Sequence, residues 1–415
     1  MRYSPYTSYR NTDLGWLNRV PSHWKSMKLK HVALLKSGES ITSSEIKDSG
    51  EFPVYGGNGL RGYYSESTHN GHYPLIGRQG ALCGNINYAR GKFWASEHAI
   101  VVQPREGSSI LWLGELLRAM NLNQYSVSAA QPGLSVENIG NLFIPVPSKM
   151  EMEIIANFLE RQTAKIDNLI SKQQRLMRLL QEKRQAVISH AVTRGINPGA
   201  PMKDSGVEWL GMVPDHWRVE RIATSYSERV EAGKQDLPIL SVSIHHGISD
   251  KELSADELYK KVNHIEDKTK YKRVYPNDIA YNMMRAWQGG FGAVQVEGLV
   301  SPAYVIAKPK DERSAVDSQY LERVFRTGNC IEEMRRFSKG ITDFRSRLYW
   351  ENFRILRVPV PPPDEQKQIL AWINETEKKT DNLISKSLQA IELLKERRTA
   401  LISAAVTGKI DVRNA

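Results

Sequence analysis

Two short stretches of the sequence carry side chains suited to reading base edges. In Tyr73-Pro74-Leu75-Ile76-Gly77-Arg78-Gln79-Gly80-Ala81, a strand-like run ends in a glycine turn with arginine and glutamine at its tip. The arginine fork fits guanine O6 and N7, and the glutamine carboxamide fits adenine N6 and N7. A second stretch, Pro276 to Gly292, has the same plan and carries Arg285, Trp287 and Gln288 in its turn. Both return as strands, the first through Ser96 and His98, the second through Ser301. Upstream of the first, the glycine-rich run Gly56-Gly57-Asn58-Gly59-Leu60-Arg61-Gly62 mixes Asn58 and Arg61 with tyrosines. Two later glycine loops hold Gln131 and Ser135, and Lys339, Thr342, Arg345 and Arg347. Such loops bring backbone N–H groups and arginines to phosphates. Each of these residues alone could equally be a solvated loop residue, but the doubled pattern raises the group above its members.

Catalytic chemistry has no comparable support. The sequence contains no phosphate-binding Gly-x-x-x-x-Gly-Lys-Ser/Thr loop and no Asn/Asp-Pro-Pro-aromatic motif of amino-methyltransferases. Pro363-Asp364-Glu365-Gln366-Lys367 has nuclease-like residue types, but they are contiguous at a helix start. His69, His72, Cys83 and His98 fit no common zinc spacing, and His245-His246 reads as an exposed loop pair. No catalytic, cofactor-binding or metal-ligating residue is assigned.

The elements that would position the candidate contacts follow from a repeat. Trp16-Leu17-Asn18-Arg19-Val20-Pro21-Ser22-His23-Trp24 recurs as Trp209-Leu210-Gly211-Met212-Val213-Pro214-Asp215-His216-Trp217, with six of nine positions identical at an offset of 193. Residues 144–193 match 358–407 without gaps at an offset of 214, with 22 identities in 50. The middles, 25–143 and 218–357, align poorly. A period near 200 is too long for a solenoid and points to two homologous units. Each unit has a fixed opening, a variable body and a fixed exit. Divergent bodies on a shared frame suit two different recognition surfaces. Trp24 and Trp217, at the start of each body, read as core anchors.

The fixed exits read as long helices. Residues 149–192 lack Gly and Pro, Ser148 with Glu151 forms a capping-box pattern, and Gly195 supplies the stop. At 1.5 Å per residue this helix spans roughly 65 Å. The copy runs from about Asp364 to Val406, with Gly408 beyond. A heptad seam can be threaded through Leu159, Gln162, Ile166, Leu169, Gln173, Leu176, Leu180, Lys183 and Val187, and through their copies. Ile170, Met177, Ile384 and Ile391 lie off that seam and are candidates for binding other protein chains. The fold class expected is α+β: two β-rich recognition domains, each followed by a long helix. The helices pair as an antiparallel coiled coil, giving a pseudo-two-fold repeat. The boundaries fall at 1–148, 149–193, 194–215, 216–363, 364–407 and 408–415.

Composition agrees. The 415 residues carry a net charge of +11, which suits a polyanionic partner. The charge is spread: residues 1–148 and 216–363 carry +4 each. No apolar run is long enough to span a membrane, and no secretory signal is seen. Two distant cysteines, Cys83 and Cys330, exclude a disulfide framework and suit a reducing cytoplasm.

Taken in order, these motifs resemble those of the specificity subunits of type I restriction–modification enzymes, over nearly the whole chain. The carriers are the doubled Trp-x4-Pro-x-His-Trp openings, the Pro-Val-Pro exits, and the repeated Asp-Asn-Leu-Ile-Ser and Ala-Val-Thr helix signatures. Gly56-Gly57-Asn58-Gly59, Gly77-Arg78-Gln79-Gly80 and Ser301-Pro302-Ala303-Tyr304 look like that family's recognition domains. One departure is the first helix start, Met150-Glu151-Met152-Glu153; the copy, Glu365-Gln366-Lys367, is nearer the family pattern. The resemblance implies a non-catalytic subunit that reads a bipartite, asymmetric double-stranded DNA site, one half per domain, with the helices as spacer. It implies docking to two methyltransferase subunits that bind S-adenosylmethionine, with motor-nuclease subunits joining for restriction. The rival readings are a coiled-coil adaptor with protein-binding heads and a stand-alone DNA-acting enzyme.

Overall fold

A computed structural model of the chain describes residues 3–80, 82–126, 133–243, 247–249, 267–311, 316–338 and 346–415. The chain divides into two compact units, one of Met1–Gln174 with Leu388–Ala415, the other of Arg175–Ser387. These divisions fall inside two long helices, Lys149–Arg194 and Pro363–Val406. The reason lies in the cores. Met152, Ile155, Phe158 and Leu159 of the first helix and Ile402, Ala405 and Val406 of the second are buried in the first unit's core. Ile188, Ala191 and Val192 of the first helix and Ile369 and Ile373 of the second join the second unit's core. Each helix therefore feeds both units.

The first unit is built on a six-stranded sheet. Its strands are β1 (Ala33–Ser37), β2 (Phe52–Gly56), β3 (Gly59–Tyr64), β4 (His69–Gly77), β5 (Ile86–Ala95) and β6 (Ala99–Pro104), in spatial order β1-β6-β4-β5-β2-β3. All neighbours are antiparallel except β2 and β5. Side chains alternate across a strand, so one apolar run can serve two cores. Ile76, Ile86, Ile100 and Val102 enter the main core, whereas Leu75, Ala89, Phe93 and Val101 form a smaller cluster. Helix Ile110–Ala119, whose first turn Ser109 caps by accepting from Trp112 N, buries Trp112, Leu113, Leu116 and Leu117 in the main core. Strand Lys25–Lys28 pairs with Phe143–Val146, which joins the start of the body to its end.

The second unit repeats this wiring with other residues. Its main sheet holds β7 (Tyr226–Glu228), β8 (Ile279–Asn282), β9 (Phe291–Ala293) and β10 (Tyr304–Pro309) in the order β7-β10-β8-β9. Arg218–Arg221 pairs with Arg357–Val360 as the closing ribbon. Ile222 N donates to Leu356 O at 2.9 Å, as Leu29 N does to Leu142 O at 2.9 Å. Lys310 N donates to Ser225 O at 2.9 Å, as Arg105 N does to Val32 O at 2.8 Å. The poorly aligning bodies thus share a frame, because backbone hydrogen bonds constrain conformation and burial but not side-chain identity.

Both long helices begin and end as their sequences require. Ser148 Oγ accepts from Glu151 N at 3.3 Å, and Gly195 and Gly408 take φ of +77° and +72° just past the ends. The seam, however, has a different phase. Leu169, Leu176 and Leu383 are exposed, while Ile170, Met177 and Ile384 are half-buried and Ile391 is only 5% exposed. Leu169-Ile170 and Leu176-Met177 are adjacent apolar pairs, so two heptad phases looked equally apolar. Burial follows Ile166, Ile170, Gln173, Met177 and Leu180. The four residues expected to bind other chains are thus less exposed than Leu169, Leu176, Leu179, Leu383, Leu388 and Leu393, which face outward. Within the second unit Arg184 Nη1 donates to Asp381 Oδ1 at 2.7 Å, and within the first Arg398 Nε donates to Asp167 Oδ1 at 3.0 Å.

Candidate nucleic-acid interface

Three turns of the first unit meet at the end of β4: Gly56–Gly59, Gly77–Gly80 and Ser96–His98. Arg78 N donates to His98 O at 2.8 Å, and Leu134 N donates to Arg78 O at 2.9 Å. Gln79 forms a backbone bridge with Gly133. The turns pack too closely for side chains at their crossing. A Cβ on Gly77 would sit 2.4 Å from Gly57 O, and one on Gly57 would sit 3.2 Å from His98 O. On this base Asn58, Arg61 and Gln79 are exposed, and Arg78 and His98 are half-exposed. His98 Nδ1 lies 3.1 Å from Gln79 Oε1. The structure thus gathers Asn58, Arg78, Gln79 and His98 from separate loops, and Arg61 lies against Gly56.

Two candidates serve the turn from inside. Ser96 is fully buried, and its hydroxyl accepts from His98 N at 3.4 Å, so it does not reach the surface. Ser135 is half-buried and caps helix Val136–Gly140 by accepting from Asn138 N. Gln131 lies outside the described residues.

The second unit closes its turn in the same way: Leu348 N donates to Met283 O at 2.9 Å. Arg285 N donates to Asn282 O at 2.9 Å, and Gly289 ends the turn at φ +83°. Arg285, Gln288 and Arg347 are exposed. Trp287 is held on two sides, by donation from Nε1 to Met284 O at 3.1 Å and by the Arg335 guanidinium 5.2 Å from its ring. Lys272 Nζ donates to Tyr304 O at 2.7 Å and fixes the returning loop from behind; burial pulls this lysine's pKa down. Burial pushes the Tyr304 hydroxyl up, and the Arg285 charge opposes it. Lys339, Thr342 and Arg345 lie outside the described residues, as do His245 and His246.

His69, His72 and Cys83, weighed above as metal ligands, have other partners. His69 stacks on Phe93 at 5.3 Å, His72 tilts against Tyr88, and Cys83 Sγ donates to Arg78 O. Among the described residues no group of three metal-ligating side chains is gathered. Sequence reasoning missed one pair of clasps. Glu151 accepts from Tyr6 Oη at 2.7 Å and lies 2.9 Å from His23 Nε2. Glu365 lies 2.7 Å from His216 Nε2 and accepts from Trp217 Nε1 at 3.0 Å. The signal was present: the histidine of each opening motif and the glutamate at each helix start are both kept between the repeats. Trp24 and Trp217 are fully buried, as their anchor role requires.

A doubled frame that presents two different sets of Arg, Gln and Asn side chains on glycine turns is suited to contacting nucleic acid. The type I restriction modification DNA specificity domain matches residues 21–178. Over this segment, 38% of the chain, it resembles the specificity subunits of type I restriction–modification enzymes. It is 40% identical to the EcoprrI specificity subunit of Escherichia coli over 165 residues, which is 39% of this chain and 41% of that subunit's length. A putative type I specificity subunit of Haemophilus influenzae is 24% identical over 90% of this chain and 92% of its own. In fold, the chain is similar to a structure solved for the assembly and conformational transition of a type I system, with TM-score 0.60 and 15% identity over 94% of this chain and 99% of that one. The specificity subunit of Thermoanaerobacter tengcongensis gives TM-score 0.51 and 14% identity over 94% of this chain and 98% of that one. Among the described residues no helix is long and apolar enough to cross a membrane.

Proposed function

We propose that each unit reads one half of a bipartite, asymmetric duplex DNA site, and that the two long helices pair antiparallel as the spacer that sets the gap. The observation that carries this is the recurrence of one junction with different side chains: Leu134 on Arg78 beside Gln79 and His98, and Leu348 on Met283 beside Arg285 and Gln288. A common frame with divergent tips is what two distinct half-sites require. The ion pairs Arg184–Asp381 and Arg398–Asp167 support antiparallel pairing: in each, a residue late in one helix meets one earlier in the other.

The outward leucines, among them Leu393 at 65% exposed, support docking of two methyltransferase subunits along the helices. S-adenosylmethionine would be bound by those subunits, and motor-nuclease subunits would join for restriction in the cytoplasm. The test is a body exchange. Replacing residues 218–357 by a relative's body, in the complex with the methyltransferase, changes one half of the methylated sequence and leaves the other intact. A change in both halves refutes one-domain-per-half reading.

A further inference from the structure

Gln79 is exposed at the tip of the first unit's turn, yet its carboxamide is tethered. His98 Nδ1 lies 3.1 Å from Gln79 Oε1. An amide oxygen only accepts, so Nδ1 donates in this contact. Glu97 Oε1 lies 3.2 Å from Nε2, also an acceptor, so in this arrangement both ring nitrogens donate and the ring is held from both sides. The backbones beneath are equally fixed. Arg78 N donates to His98 O, Gln79 is bridged to Gly133, and the buried Ser96 hydroxyl accepts from His98 N. Gly57 fits where any Cβ would stand 3.2 Å from His98 O and 3.4 Å from Gln79 O.

We infer that His98 is a positioning residue that turns the Gln79 carboxamide oxygen inward and its NH2 group outward, so that Gln79 selects guanine over adenine. Adenine's major-groove edge asks for one donor and one acceptor, N7 and the N6 amine. Guanine's edge offers two acceptors, N7 and O6. A glutamine whose oxygen is already engaged presents donors, which is the complement of guanine. Freed from His98, the same carboxamide could pair with adenine through both of its groups. The inference rests on the proposal that this turn reads DNA.

The test uses the full chain in complex with its methyltransferase subunits, with selection from duplexes randomised in both half-sites and sequencing of the methylated motif. Gln79→Ala identifies the base pair that this residue reads, expected to be G·C. His98→Ala should lower the guanine preference there from about tenfold toward unity, with adenine newly accepted and the other positions unchanged. His98→Asn, whose side-chain amide can still donate to Gln79 Oε1, should retain the guanine preference, which separates orientation from folding. An A·T pair at the Gln79 position, or an even loss of binding in His98→Ala with its guanine preference intact, overturns the inference. Arg285→Ala serves as the reference for the other half-site. If it changes a base pair while His98→Ala changes none, only the role of His98 fails. If neither Gln79→Ala nor Arg285→Ala changes any base pair, the DNA-reading turns fail and the inference falls with them.

Discussion

Arg398 Nε donates to Asp167 Oδ1 at 3.0 Å in the first unit, and the positions that match them in the repeat, Arg184 and Asp381, meet at 2.7 Å in the second. Each pair joins one long helix to the other, and the two pairs exchange under the repeat offset of 214. Both are partly solvated, so each contributes only about 0.2–1 kcal/mol. Reversing Arg398 to Asp should destabilise by about that amount, and adding Asp167→Arg should restore most of it. A double-mutant cycle on urea unfolding measures the coupling, and a coupling of zero would show that the pair contributes nothing.

The phase of the helix seam gives a sharper contrast. Ile391 is 5% exposed and Leu393, two residues on, is 65% exposed. Ile391→Ala should cost about 2–4 kcal/mol, as truncations of buried aliphatic side chains do. Leu393→Ala should stay within about 0.5 kcal/mol of the parent, while Leu393→Glu weakens capture of the methyltransferase in co-purification. Equal destabilisation by the two alanine variants would contradict the burial.

Gly77 is a tight point of the first unit's turn junction, with Gly57 O 2.4 Å from where its Cβ would stand. Gly77→Ala must push the two turns apart, at a cost of about 1–3 kcal/mol. Recognition of one half-site should weaken while the other is preserved. Methylation sequencing reads this directly, and an unchanged motif would mean that the spacing of the two turns does not matter for reading.

Alkaline pH should unfold the protein cooperatively. Burial raises the hydroxyl pKa values of Tyr6, Tyr88, Tyr226, Tyr281 and Tyr320 above the ordinary value, with the Glu151 hydrogen bond adding to it at Tyr6 and the Glu115 charge at Tyr88. A raised pKa means that the folded state keeps a proton the unfolded chain gives up. The stabilisation is therefore complete below about pH 10 and is lost as pH climbs through the raised values. Tyrosinate absorbance should rise together with the loss of helical circular dichroism. Smooth ionisation near pH 10 with the fold intact would rule this out.

Much of this was open to inspection in the chain itself. The repeat, the two long helices, their glycine stops at Gly195 and Gly408, and the anchor role of Trp24 and Trp217 follow from residue types and spacing, because capping, periodicity and burial are local or patterned. The candidate turns around Arg78 and Arg285 were visible for the same reason. Their assembly was not. That Gln79 meets His98, that Ser96 is buried beneath them, and that Glu151 and Glu365 clasp the opening motifs all depend on which loops pack together. The seam phase was ambiguous because Leu169-Ile170 and Leu176-Met177 offer two apolar stripes. Only packing against other elements chooses between them.

Sequence alone determined a doubled frame with two divergent tips, since a repeat is a fact of the chain and needs no coordinates. Tertiary structure decided which side chains stand at each tip and which turn inward, because those choices are made by contacts between segments far apart in the chain, and no local pattern encodes them.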